Sequence, residues 1–307
     1  MPALLVNAAH NGLSAARRLR MGFLGGTPVL AAFRGLNVIV IAMIANAALN
    51  FGRSSIKNWR DAILSAGAAV FLIFHGSPII AILATAALSL QLYHGVNLPA
   101  KPAHAAGPDG GRRMLRFAAV LALLVATGLV IPYLLDRRLF DLATLMLKVD
   151  VFAFGGGFAS VPLLFNEVVT ARQWLDGPTL SDGIVLGQVT PGPIVITATF
   201  VGYLLHGIVG AIVATVSVFL PSFLIVIAVA PHFDRLRSSP AFARLIGGAL
   251  CSFPGLLLIV TAHFAQNANW DITRLLLTGI AFVTLRLGAN IFWVVVGGTA
   301  FALTFCR

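Results

Sequence analysis

Residues 187–203 read GQVTPGPIVITATFVGY, an apolar stretch suited to lipid that is interrupted by Pro191-Gly192-Pro193. Both prolines lack an N–H group, and each disfavours helical geometry in the residue before it. At membrane depth, irregular backbone is tolerated only where it is buried in protein or lines a wet cavity. The stretch therefore predicts a discontinuous helix within a membrane protein, with one half-helix beginning at Pro193.

The composition assigns the whole chain to the membrane. Of its 307 residues, 59% are hydrophobic and 10% are charged, whereas soluble domains carry roughly 25% charged residues. We expect an all-α polytopic membrane protein with about eight to ten transmembrane helices, inverted repeats and discontinuous helices. The apolar runs lie near 29–50, 61–75, 77–93, 115–135, 142–165, 183–205, 207–230, 243–264, 273–287 and 289–305.

Two pairs of apolar runs, at 61–93 and 273–305, are short for crossing a bilayer. They are either thin spans or hairpins packed within the protein. The pairs also resemble each other, because Asn58-Trp59 precedes one and Asn269-Trp270 precedes the other, 211 positions later. A near-constant offset indicates duplication, which is frequent in transporters; two unrelated apolar hairpins are the alternative.

The duplication predicts how the chain is divided. Residues matching the front of the later copy have no counterpart in the earlier one, so the first repeat is expected to be truncated at its N-terminal side. An odd number of crossings between the copies would invert the second relative to the first. The expected units are a partial first repeat, a linker and a complete second repeat, at residues 1–95, 96–113 and 114–307.

Charge and motifs exclude several classes of function. The net charge of +11 comes from Lys and Arg clusters between apolar runs, which is typical of membrane loops rather than of nucleic-acid binding. Cys251 and Cys306 have no CxxC spacing, and the seven histidines are scattered. The sequence also lacks a recognisable catalytic or nucleotide-binding motif. We expect a protein that is not an enzyme and that has no cofactor, no metal and no nucleic-acid partner.

The break in 187–203 is the first candidate site, for an anion. The half-helix that starts at Pro193 would direct free N–H groups and its positive dipole end into the gap. Gln188 and Thr190 would add neutral hydrogen bonds. A simple proline kink is the alternative. The candidate substrate-binding residues here are Gln188, Thr190, Pro191, Gly192 and Pro193.

The second candidate is the triple glycine Gly155-Gly156-Gly157, which interrupts another apolar run. Glycines permit backbone dihedrals that let N–H groups converge on an anion; close helix packing is the alternative. Lys148, shortly before, could supply the positive charge that a dianion needs, or it could snorkel to an interface.

Three carboxylates are candidates for proton coupling: Glu167, Asp150 and Asp182. An ionisable group at membrane depth is costly and is a functional hypothesis by default. Alternatively, Glu167 is a solvated or ion-paired carboxylate at the far interface, and Asp150 simply pairs with Lys148.

Together these motifs resemble the chromate transporter (CHR) family in order and spacing. The resemblance is dense across about 140–260, and NFGRSSIKNWRDA at 50–62 is similar to the rear part of that family's first homologous domain. The matching motifs are Phe154-Gly155-Gly156-Gly157, Pro162-Leu163-Leu164, Glu167-Val168-Val169, Trp174-Leu175, Asp182, Gly187-Gln188, Thr190-Pro191-Gly192-Pro193 and Phe219-Leu220-Pro221-Ser222-Phe223.

The resemblance implies a multi-pass secondary transporter of the inner membrane that exports chromate, a sulfate-like oxyanion. Long members of the family carry two homologous domains of inverted topology, whereas short members carry one and are thought to work in pairs. This chain lacks the first FGG and PGP segments of a long member and exceeds the length of a short one. A homodimer or a second CHR chain is therefore an expected partner, besides the lipid bilayer. The alternatives are a transporter of another oxyanion such as sulfate, and an inactive remnant that needs a partner chain.

Overall fold

The structure is a computed structural model that describes residues 27–74, 76–93, 119, 136–153, 157–189, 193–229, 239–268 and 270–305. These residues form helices joined by short connections, which confirms the all-α fold. The helices are α1 Thr27–Ser55, α2 Trp59–Ile73, α3 Pro78–Leu92, α4 Arg137–Phe152, α5 at residues 157–171, α6 Gly177–Val189, α7 Pro193–Val229, α8 Pro240–Gln266, α9 Ile272–Arg286 and α10 Ile291–Phe305.

Within the described residues, three helices are long and apolar enough to cross a membrane, in the segments Gly35–Ser55, Val195–Ile227 and Pro240–Gln266. Helices α2, α3, α9 and α10 have only 15 residues each, about 22 Å at the α-helical rise. They fall short of the roughly 30 Å hydrocarbon core. Helices α2 and α3 form a hairpin, since Arg60 Nη1 donates a hydrogen bond of 2.7 Å to the Leu92 carbonyl.

The long helices α1 and α8 pack against each other, and each is also held by the short helices that follow the other one. Helices α9 and α10 pack on α1, while α2 and α3 pack on α8. Gly35 of α1 lies against Ala302 of α10, and Gly248 of α8 lies against Ser89 of α3. A Cβ at either glycine would overlap its partner, so small residues set how closely these helices approach. We call this unit, α1–α3 with α8–α10, the clasped scaffold.

The two halves of the clasped scaffold repeat at an offset of 213 residues. Helices α9 and α10 begin and end 213 positions after α2 and α3. Trp59 and Trp270, 211 positions apart in sequence, therefore do not occupy equivalent positions. Trp59 is the first residue of α2, whereas Trp270 precedes Asp271, whose side chain caps α9 by accepting from Arg274 N. Capping chemistry, rather than the tryptophan, fixes where each helix begins.

The open end of the α2–α3 hairpin is fastened by a buried carboxylate. Asp61 Oδ2 accepts hydrogen bonds from the backbone N–H groups of Lys57 at 3.0 Å and Asn58 at 3.1 Å, and Oδ1 accepts one from the Tyr93 hydroxyl. Burial and the Asp61 carboxylate raise the pKa of Tyr93 to about 12. These contacts account locally for the stretch NFGRSSIKNWRDA.

The apolar run 142–165 contributes to two separate helices, α4 and α5, which contact each other. Lys148 Nζ of α4 lies 2.6 Å from Glu167 Oε1 of α5. In one continuous helix these residues would be about 28 Å apart along the axis, farther than the two side chains can reach. Phe152 and Gly157 therefore belong to two separate helices. Helix α5 is itself irregular, with a 3₁₀ turn Gly157–Ser160, an α turn Val161–Leu164 and π turns Phe165–Ala171.

Helices α6 and α7 are antiparallel where they pack together. Helix α7 begins at Pro193, as the sequence predicts, but it returns alongside α6 instead of continuing its direction. Thr197 Oγ1 donates to the Gly183 carbonyl at 3.1 Å, although these residues would be about 21 Å apart in one continuous helix. The two halves of this discontinuous helix are therefore antiparallel.

Helix α7 contains a further reversal. His206 has φ −142° and ψ 25°, and Gly207 has φ 60° and ψ −146°, a backbone region that is essentially reserved for glycine. The hydroxyls of Thr199 and Thr215 then meet at 2.6 Å. We call the two parts α7a (residues 193–205) and α7b (residues 208–229). Only α7b, about 33 Å long, is long enough to span the bilayer.

Candidate anion-binding site

The packing of these helices brings three helix breaks to the same height along the helix axes. Gly202 packs against Gly210 and Thr199 pairs with Thr215, which fixes the register of α7a against α7b. Continuing this register places Pro193 opposite residues 219–221, beside the helix proline Pro221. Asp150, in the last turn of α4, accepts a 2.7 Å hydrogen bond from the Ser222 N–H on α7b. The end of α4, the start of α7a and the proline break in α7b thus lie together.

The same geometry fixes which ends of the helices meet. Asp136 and Arg138, at the start of α4, lie close enough to act electrostatically on His206, at the start of α7b. Helix α4 is therefore parallel to α7b. Helix α6 is antiparallel to α7a and so also parallel to α7b. Consequently α4 and α6 end, and α5 and α7a begin, at the same end of the unit formed by α4–α7, which we call the hairpin unit.

Asp150 accepts a hydrogen bond at the proline break in α7b. Pro221 has no N–H, and its ring clashes with the carbonyl four residues earlier, which disturbs the helical hydrogen bonds around it. The Asp150 carboxylate accepts from the next N–H, that of Ser222. In the structure Lys148 pairs with Glu167, so the alternative that Asp150 pairs with Lys148 is wrong. The carboxylate instead ties two of the breaks together.

Glu167 is the centre of an ion cluster. It is 8% exposed, and its carboxylate lies 2.6 Å from Lys148 Nζ and 3.5 Å from Arg172 Nε. A buried carboxylate is costly unless it is paired and hydrogen-bonded, and these two cations meet that need. Their own side chains remain 43% and 31% exposed. The cluster therefore carries one net positive charge at the edge of the hairpin unit.

The irregular backbone of α5 makes this cluster possible. Glu167 and Arg172 are five residues apart, which is the hydrogen-bond spacing of a π-helix, and the Arg172 N–H donates to the Glu167 carbonyl at 3.2 Å. The chain then folds back, with Gln173 at φ 51° and the Trp174 N–H donating to the Val168 carbonyl at 2.8 Å. Arg172 also lies 4.8 Å from the Trp174 ring centroid. This cation–π contact fixes the guanidinium beside Glu167.

The other predicted site residues are distributed around the hairpin unit. Gly157 begins the 3₁₀ turn of α5, Pro193 begins α7, and the backbone of Gln188 lies in the last turn of α6. Asp182 is buried on α6, 5% exposed. The candidates that lie outside the described residues are Gly155, Gly156, Thr190, Pro191 and Gly192.

Two residues of this region are missing from the sequence-based candidates. Arg172 was not expected because a spacing of five is not a contact spacing in an α-helix. Ser222 was not expected because its contribution is a backbone N–H freed by the preceding proline. The only sequence signals are Pro221 itself and a second cation near Glu167.

An apolar, all-helical fold with half-length helices whose ends meet beside an ion cluster has the build of a membrane transporter, in which irregular backbone lines a cavity. A family model described as chromate transporter matches residues 3–90 and 140–303. The chain therefore belongs to the chromate transporter family.

Similar proteins include transporters from archaea and bacteria. The chain is 40% identical over 263 residues to an uncharacterized transporter of Methanocaldococcus jannaschii, covering 86% of the chain and 65% of that protein. It is 30% identical over 258 residues to the chromate transport protein of Pseudomonas aeruginosa, covering 78% and 57%. It is 27% identical over 257 residues to the probable chromate transport protein of Synechococcus elongatus, covering 83% and 62%. The chain thus spans at most 65% of the length of these relatives. No solved structure matches it.

Proposed function

We propose that this protein is a secondary transporter that exports chromate, or a sulfate-like oxyanion, across the inner membrane. The observation that carries the proposal is the Asp150–Ser222 contact, which joins the end of α4 to α7b at the level where α7a begins. In a membrane transporter, convergent helix breaks offer backbone N–H groups to a substrate without exposing them to lipid.

The binding residues follow from this arrangement. The helix starts at Gly157 and Pro193 would direct backbone N–H groups and positive dipole ends toward the anion. Neutral donors alone would not offset the desolvation of a dianion, so we assign charge balance to Lys148, whose side chain is 43% exposed. Gln188 completes the set from the end of α6. Candidates outside the described residues complete it from the two connections: Gly155, Gly156, Thr190, Pro191 and Gly192.

Energy for export is available without nucleotide hydrolysis. An inside-negative membrane potential favours outward movement of a negative charge by about 2.3 kcal/mol per charge per 100 mV. A dianion gains twice that amount. We propose Glu167 as the first carboxylate to test for proton exchange, because it is buried and contacts Lys148. Asp182 is the second, while Asp150 is already committed to Ser222.

The choice between chromate and sulfate rests on the relatives. Two of them are named chromate transport protein or probable chromate transport protein. Both ions are tetrahedral dianions, so backbone donors and one lysine would bind them similarly. Competition between the two ions for transport separates these readings.

The clasped scaffold supports a duplicated architecture. The offset of 213 relates not only α2 and α3 to α9 and α10 but also the contact Gly35–Ala302 to the contact Gly248–Ser89. We propose that residues 1–95 and 114–307 are a partial and a complete repeat of inverted orientation, joined by a linker at 96–113. The hairpin unit then lacks a counterpart in this chain, which a homodimer or a second chain of the family would supply. A remnant that is inactive without such a partner is the alternative.

The test is chromate uptake into everted inner-membrane vesicles that contain the full chain. We expect uptake driven by the membrane potential, and a loss of about tenfold or more in Lys148→Gln, because one charge-assisted contact is removed. Gln188→Ala should weaken uptake less. Arg286→Gln, at the end of α9, is the matched control and should leave uptake unchanged. Vesicles that accumulate neither chromate nor sulfate would refute the proposal.

A further inference from the structure

Glu167 pairs with two cations, and one of them, Lys148, is already assigned to the proposed substrate site. Lys148 comes from α4, Arg172 follows α5, and both contact the same carboxylate. We propose that Glu167 is an internal counter-ion that the oxyanion displaces, and that Arg172 is a second substrate-binding cation beside Lys148. This inference rests on the proposed function and assigns a specific role to this cluster.

The Glu167 carboxylate is more buried than its two cations, as displacement of Glu167 by a substrate anion requires. The Glu167 side chain is 10% exposed, whereas Lys148 and Arg172 retain 43% and 31% exposure. Each cation therefore has exposed surface that can contact a second anion while the cation stays close to Glu167. The guanidinium of Arg172 is oriented by Trp174, and a planar, oriented guanidinium can bind two oxygens of a tetrahedral anion at once.

The charges show why the two anions compete. Lys148, Arg172 and an ionised Glu167 sum to +1. A bound dianion changes that sum to −1, which disfavours an ionised carboxylate in a buried site. If Glu167 takes up one proton from solution, the sum returns to zero. Binding of the dianion therefore favours uptake of one proton by Glu167, and the exported dianion carries that proton outward with it.

The neighbouring ionisable groups do not replace Glu167 in this role. On α4, Asp150 accepts from Ser222 N. On α8, His263 stacks on Phe165 with centroids 4.8 Å apart and contacts Asn267. Asp182 is buried on α6. Among the described residues, the ion pairs recorded for Glu167 are those with Lys148 and Arg172.

The test is chromate binding to the purified full chain in lipid nanodiscs at pH 8, where chromate is a dianion. The variants are Glu167→Gln, Arg172→Gln and Lys148→Gln, with Arg286→Gln as the control. We expect Glu167→Gln to bind chromate about tenfold more tightly than the wild type, because the competing charge is gone. Arg172→Gln and Lys148→Gln should each bind about tenfold more weakly. A pH-sensitive dye should record proton uptake on binding by the wild type and none by Glu167→Gln.

The outcomes separate a binding role from a merely structural one. If the cluster only stabilises the fold, Glu167→Gln binds chromate no more tightly than the wild type, and the inference is overturned. Thermal unfolding of each variant shows whether it is folded; should Glu167→Gln fail to fold, an unchanged affinity in Arg172→Gln would overturn the inference by itself. A wild type that transports chromate without these effects leaves the proposed function standing. A wild type that neither binds nor transports chromate defeats both.

Discussion

The clasped scaffold and the hairpin unit are held together by different forces. In the scaffold, long apolar helices approach through small residues, and its contacts recur at an offset of 213. In the hairpin unit, short helices are joined by a carboxylate on a backbone N–H, by a threonine pair and by the Glu167 ion cluster. Apolar packing suits a rigid frame, whereas polar contacts in lipid are costly and are found where a protein handles ions or substrates.

This difference predicts how each region responds to substitution. The scaffold should be sensitive to side-chain volume and insensitive to charge or pH. The hairpin unit should lose transport after changes that leave its volume almost unaltered.

The largest expected effect is in the scaffold, at Gly255. A Cβ there would overlap the Ser65 carbonyl on α2, so Gly255→Leu must push α2 away from α8. We expect a loss of stability of about 3 kcal/mol, measured by thermal unfolding in detergent. Gly67→Leu is the matched control, because a Cβ at Gly67 meets nothing within 4 Å. Equal stability of the two variants would contradict close packing between α2 and α8.

The next effect concerns the joint of the hairpin unit. Asp150→Ala removes the acceptor of the Ser222 N–H, and hydrogen bonds to charged groups contribute about 1.5–3 kcal/mol. We expect a stability loss in that range together with a loss of chromate uptake. Asp141→Ala, on the same helix, serves as the control and should change stability by less than about 0.5 kcal/mol. A variant at Asp150 with normal uptake would show that this joint does not shape the site.

The smallest effect is expected at the threonine pair between α7a and α7b. Thr199 and Thr215 each also lie within hydrogen-bond distance of a backbone carbonyl of their own helix, so two hydroxyl protons serve three contacts. Thr215→Val should therefore cost only about 0.6 kcal/mol. Thr284→Val is the control, since the Thr284 hydroxyl donates to carbonyls of its own helix, α9. A cost at Thr215 no larger than at Thr284 would indicate that the cross-hairpin contact contributes nothing.

The sequence predicts where helices break better than where they go next. Proline at the first helical position is compatible with helix geometry, so the start of α7 at Pro193 follows from the sequence alone. Whether the chain continues or reverses depends on contacts between distant residues, such as Thr197 with Gly183. Local propensity carries no information on such contacts, so the sequence predicts the break before Pro193 but not the antiparallel packing of α6 and α7.

In the candidate site, too, the sequence predicts individual residues better than it predicts the contacts between them. Lys148 and Glu167 could be proposed because an ionisable residue in an apolar run is conspicuous. The Lys148–Glu167 contact and the second contact of Glu167 with Arg172 depend on π turns, which no residue pattern predicts. The Asn-Trp pairs indicate the duplication at an offset of 211 rather than the structural 213, because interchangeable apolar residues give little sequence identity while helix caps keep the structural register.

The central claim is that both connections of the hairpin unit, at 154–156 and 190–192, line one water-accessible anion site. Gly156→Cys and Gly192→Cys can be made singly with Cys306 changed to serine, since the native Cys251 is only 3% exposed. The direct measurement is the rate at which a membrane-impermeant thiol reagent labels each cysteine, with and without chromate. The account predicts that both cysteines are labelled and that chromate slows both reactions; labelling that chromate leaves unchanged at either position would contradict it.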